Sequence, residues 1–148
     1  MARNLTKIII HCSASDDPKQ DDPIEIRKLH MSSKETKIKW GKYDTTGKGF
    51  SDIGYHYVIT KDGSVHMGRR LDKMGAHCLG QNLESVGICL TGEHDFTPDQ
   101  FFSLAWLLND VLNNNPTIRE VRPHSHYSDK SCPNFKLRIF DAGNGLQV

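Results

Sequence analysis

At 148 residues the chain has room for one compact domain with a single core, and no linker-like stretch divides it. Its 36% hydrophobic and 25% charged content is that of a globular protein and argues against disordered and fibrous classes. The net charge is +1, and the only lysine-rich stretch is the loose run from Lys34 to Lys48, so nucleic acid is not the expected partner.

The first residues lead straight into Ile8-Ile9-Ile10, too short an apolar run for a signal-peptide core or a membrane span, so synthesis in the cytoplasm without membrane insertion is expected. Leu5 to Cys12 reads as a buried strand that ends at polar Ser13-Ala14-Ser15-Asp16-Asp17, with His11 near its C-terminal end. Asp22 is a good N-cap with proline behind it, and a short helix from Pro23 to His30 puts Ile26, Leu29 and His30 on one side. Met31 to Ser51 carries lysines, threonines and glycines without sustained periodicity and is expected to be a long surface loop.

Gly54 to Thr60 and Ser64 to Met67, joined through Asp62-Gly63, read as a hairpin. Ser85 to Thr91 resembles a second buried strand. Thr97-Pro98-Asp99-Gln100 then opens a helix in which Phe101, Leu104, Leu107, Leu108, Val111 and Leu112 keep a helical period, and Asn113 to Pro116 ends it. A short strand from Ile118 to Arg122 delivers His124 into a polar loop running to Cys132 and Pro133. The fold class expected is α/β: a single domain, residues 1–148, with a mixed central sheet flanked by the two helices.

The four cysteines, Cys12, Cys78, Cys89 and Cys132, have neither paired nor zinc-ribbon spacing, which suggests reduced thiols or a ligand role. Cys12 and Cys89 lie in apolar runs and read as packed thiols. A catalytic zinc takes three protein ligands and keeps one position open, and His11, His124 and Cys132 form one such set. With eight histidines in the chain, spacing alone does not select it. His30, His66 and His94 read as surface or helix-face residues.

Five segments occur in order: Ile8 to Ala14, Asp52 to Ile59, Gly75-Ala76-His77-Cys78 with Asn82, Ser85 to Ile88, and His124 through Lys130 to Cys132-Pro133. Together they resemble the type 2 family of N-acetylmuramoyl-L-alanine amidases, which includes small phage lysozymes of amidase type and has the animal peptidoglycan recognition proteins as relatives. The resemblance implies one zinc ion on His11, His124 and Cys132 at the sheet rim, with Tyr55 and Lys130 catalytic. It also implies His77 and Asn82 along a substrate groove, and Arg70 follows the Ser64 to Met67 strand where a guanidinium could meet substrate carboxylates.

The implied reaction is hydrolysis of the amide between N-acetylmuramic acid and L-alanine in peptidoglycan, carried out by a monomer serving as a phage or prophage endolysin. Such a protein acts on the wall after release by a separate lysis protein. Zinc acidifies water enough to give a nucleophile at neutral pH, and Lys130 and Tyr55 can meet the oxyanion that attack creates. The departure from the family pattern is Met31 to Ser51, longer than in the smallest members. A non-catalytic peptidoglycan-binding module is the alternative, in which the cysteine ligand is typically replaced; here Cys132 is present.

Overall fold

The computed structural model describes residues 3–137. In chain order the elements are β1 (Lys7–Cys12), α1 (Pro23–Met31), β2 (Lys37–Trp40), β3 (Tyr43–Thr46), β4 (Tyr57–Ile59), β5 (Val65–Met67), β6 (Ser85–Leu90), α2 (Pro98–Asn114) and β7 (Glu120–Pro123). Five strands form one sheet in the order β5, β4, β6, β1, β7, and β2 pairs with β3 alone. All pairings in the larger sheet are parallel except that of β4 with β5, which gives the mixed sheet expected from the sequence.

Parallel strands are covered on both faces, and the consecutive isoleucines of β1 are the consequence. Ile8, Ile9 and Ile10 are all fully buried. Side-chain alternation divides them. Ile8 and Ile10 join Val86, Ile88 and Leu90 of β6 under Leu104, Leu107, Leu108 and Val111 of α2. On the opposite face Val58 and Cys89 pack with Ile26 and Leu29 of α1. His11 is paired with Cys89 across β1 and β6, which puts it on the α1 face.

Both helices begin where local chemistry dictates. The Asp22 carboxylate accepts from the backbone N–H of Ile24, and Pro23 fills a position that needs no donor. Thr97 and Gln100 form a reciprocal capping box at the start of α2. Among the described residues no helix is long and apolar enough to cross a membrane.

The structure corrects the expected loop at Met31 to Ser51, which contains the hairpin of β2 and β3. Gly41, at φ +56°, makes the tight reversal between Trp40 and its partner Tyr43. Ile38 and Trp40 point to the same side, toward the α1 cluster, while Lys37 and Lys39 face solvent. The Trp40 indole N–H donates to the Ser13 carbonyl at 2.6 Å, tying the hairpin to the chain just after β1.

Candidate metal centre and active-site groove

Two of the expected ligands sit at the ends of adjacent strands, His11 near the end of β1 and His124 directly after β7. Ile10 of β1 pairs with Pro123 of β7, so the next residues, His11 and His124, leave neighbouring strands side by side. Their rings lie 4.5 Å apart, centroid to centroid. A short 3-10 turn, His124–His126, follows, and the Ser125 N–H donates to the Cys132 carbonyl at 2.9 Å, which folds the loop back. The Cys132 sulfur in turn accepts from the Cys12 N–H at 3.0 Å.

One ligand atom from each of His11, His124 and Cys132 lies within 4.8 Å of the others, the spacing of a set converging on one ion. Two imidazoles and a thiol are the donor types a zinc ion prefers. Burial, followed by nearby His77, His124 and Lys130, holds the His11 imidazole well below the usual histidine range. Burial and Lys130 likewise lower His124, so both rings are neutral and able to ligate. The Cys132 thiol is pushed up, first by its hydrogen bond with the Cys12 thiol and then by burial, and a bound cation reverses that preference.

These residues lie in a groove of about 1060 Å³ that also takes in Tyr55, His77, Asn82 and Lys130. The Tyr55 ring stands 5.1 Å from that of His11, centroid to centroid. Burial, and then the neighbouring cysteines, raise its phenol well above the ordinary tyrosine value, so it stays a proton-bearing donor. Lys130 is exposed on the groove wall, near enough to His11 and His124 to depress both.

His77 lines the groove and also touches the centre, since its Nδ1 lies 2.8 Å from His11 Nε2. Burial lowers its pKa to about 3. The Asn82 Oδ1 accepts from the backbone N–H groups of His77 and Cys78 at 2.9 and 3.0 Å, so Asn82 fastens the loop that carries His77. Arg70 lies elsewhere: it is exposed, pairs with Asp72 at 3.3 Å and is not among the groove residues.

Sequence reasoning missed several groove residues. His30, expected as a surface or helix-face residue with no role in the site, is buried on the same side of α1 as Ile26 and Leu29; its Nδ1 accepts from the Gly54 N–H at 2.8 Å and its ring lies 5.2 Å from that of Tyr55. Its place beside Ile26 and Leu29 on α1 was the available signal. Trp40 and Tyr43 bring the hairpin into the groove wall, where the Tyr43 hydroxyl donates to the Glu93 carboxylate. Cys12 is buried as expected, and it is also a hydrogen-bonding neighbour of Cys132.

The mixed sheet with a candidate His-His-Cys metal group at its rim has the donor set of a hydrolase-type metal site, and comparison with known proteins specifies the family. The family profile described as N-acetylmuramoyl-L-alanine amidase matches residues 1–135, and the chain belongs to that family. It is 35% identical over 152 residues to the endolysin of Klebsiella phage KP32, spanning 97% of this chain and 90% of the relative. With the endolysin of Escherichia phage T7 it shares 34% over 147 residues, 94% of this chain and 87% of that one. Among solved structures, N-acetylmuramoyl-L-alanine amidase LysC from Clostridium intestinale superposes with a TM-score of 0.79 at 26% identity, covering 98% of this chain and 88% of that one. Drosophila peptidoglycan recognition protein SD, at 23% identity and a TM-score of 0.70 over 90% of this chain and 76% of its own, shares the fold.

Proposed function

We propose that this amidase carries one zinc ion on His11, His124 and Cys132 and acts as a phage endolysin, hydrolysing the bond between N-acetylmuramic acid and L-alanine. The observation that carries the reading is the convergence of two neutral imidazoles and a thiol on one point of a long groove. The high coverage of phage endolysins supports the biological role.

Zinc supplies Lewis acidity there, acidifying water and polarising the amide carbonyl. In this reading the stem peptide lies in the groove beside the centre, whose lining includes His77, Asn82 and, from the β2–β3 hairpin, Trp40 and Tyr43. Tyr55, held as a neutral phenol, donates a hydrogen bond to the oxygen on which charge develops. Lys130 presents a fixed positive charge at the same mouth and offsets the negative charge that the Cys132 thiolate brings. Arg70, exposed and paired with Asp72, can reach only a part of the substrate that extends beyond the groove.

The deciding experiment incubates the purified protein with peptidoglycan, with and without a chelator. Release of peptides beginning at L-alanine, abolished by the chelator and restored by zinc, is expected. Cleavage within the glycan, or release that ignores the chelator, overturns the reading.

A further inference from the structure

The hydrogen bonds around His77 run in one direction only, and the direction has a consequence for the metal centre. The Ser85 hydroxyl donates its single proton to the Gln81 carbonyl at 2.7 Å. Toward the His77 Nε2, 3.1 Å away, it can therefore only accept, which places a proton on that nitrogen. A neutral imidazole protonated at Nε2 has a bare Nδ1, and this atom faces His11 Nε2 at 2.8 Å. His11 must then be the donor, with its proton on Nε2. Its Nδ1 is left as the lone pair available to a cation.

The His77 ring has little freedom to break this order. A Cβ at Gly87 would stand 2.6 Å from the His77 Cγ, so the ring lies flat on bare backbone of β6. A Cβ at Gly75 would stand 2.8 Å from its Cδ2, which closes another side. The ring meets that of His11 nearly edge-on, at an interplanar angle of 87°. Asn82 pins the backbone of the same loop through the N–H groups of His77 and Cys78.

We infer that His77 is a positioning residue for the metal: with Ser85 and the Gln81 carbonyl it fixes the tautomer and orientation of His11, so that His11 ligates through Nδ1. Hydrogen-bonded partners of this kind orient a ligating imidazole and raise its basicity. The inference rests on the zinc reading above and deepens it. It assigns to His77 a task other than gripping substrate, although the ring borders the groove.

The first measurement uses the zinc-loaded wild-type protein labelled with 15N, in which long-range proton–nitrogen correlations report each ring's tautomer. His77 protonated at Nε2 with a bare Nδ1, and His11 protonated at Nε2, are expected. A His77 proton on Nδ1, or a His11 bound to zinc through Nε2, overturns the inference. If wild-type protein fails to bind zinc in competition with a chelating dye, the zinc reading falls and this inference with it. Bound zinc with the wrong tautomers sinks this inference alone.

The second measurement compares zinc affinity in His77→Leu and His77→Asn. Asparagine keeps an acceptor oxygen close to the position of the imidazole Nδ1, whereas leucine removes it. His77→Leu is expected to weaken zinc binding about 10- to 100-fold, the range seen when such partners are lost, with His77→Asn near wild type. A raised KM for muramyl peptide in both variants, with zinc affinity unchanged, makes His77 a substrate contact and overturns the positioning role. Should His77→Leu fail to fold, the tautomer measurement on the wild-type protein decides by itself.

Discussion

Tyr55 and Lys130 can be separated from the metal ligands by what their loss leaves behind. The Tyr55 ring stands against His11 without belonging to the ligand set, and its phenol is held protonated by burial. Tyr55→Phe is expected to retain zinc while kcat falls about 10²- to 10³-fold, the usual effect of removing one oxyanion donor. Titration with a chelating dye alongside steady-state kinetics checks both halves, and an unchanged kcat removes Tyr55 from the chemistry. Lys130→Met is expected to lower the rate and alter its pH profile, because the charge that bears on His11 and His124 disappears; an identical rate and profile sinks that role. Neither role could be read from spacing. His11 and Cys132 are far apart in the chain; the parallel pairing of β1 with β7 brings His11 to His124, and the hydrogen bonds of Cys132 with Ser125 and Cys12 fold the third ligand back to them. The ordered motifs around the ligands made the site legible in the sequence through family resemblance, and His30 escaped because the Gly54 N–H it accepts from belongs to a distant loop.

Elements governed by local chemistry were the legible ones. Asp22-Pro23 and Thr97 to Gln100 announce their helices within four residues, because caps and missing donors act over one turn. The β2–β3 hairpin was hidden for the opposite reason. Only Ile38 and Trp40 on one side of β2 find apolar neighbours, and the alternating Lys37 and Lys39 make the stretch look like a solvated run. Its stability comes from tertiary contact, chiefly a Trp40 indole that is 5% exposed and donates to the Ser13 carbonyl. Trp40→Ala is therefore expected to cost about 3–5 kcal/mol, as large aromatic truncations in a core do. Because Trp40 and Tyr43 both line the groove, KM should rise with it. Denaturant unfolding and kinetics test this together, and a loss under about 1 kcal/mol shows that the hairpin is held elsewhere.

At the scale of the molecule, the α1 face of the sheet carries buried histidines as well as apolar side chains, and this gives stability a direction in pH. Burial holds both His30 and His56 at about 4, against 6.5 for an unperturbed imidazole. Each is anchored as a neutral acceptor, His30 from the Gly54 N–H at 2.8 Å and His56 from the Gly87 N–H at 3.0 Å. Below pH 6.5 the unfolded chain takes up protons that the folded chain refuses, so stability present at neutral pH is lost as pH falls from about 6.5 to about 4. The full loss is on the order of 3 kcal/mol for each histidine, from 1.36 kcal/mol per pKa unit. Zinc dissociation acts over acidic pH as well, because protons compete for His11 and His124, so the two effects must be separated. His30→Asn does so: its amide oxygen can accept from Gly54, and it does not titrate. Urea unfolding of zinc-loaded protein at pH 7.5 and pH 5 should show a smaller difference for His30→Asn than for wild type. Equal differences show that acid sensitivity arises at the metal centre or His56, with no contribution from His30.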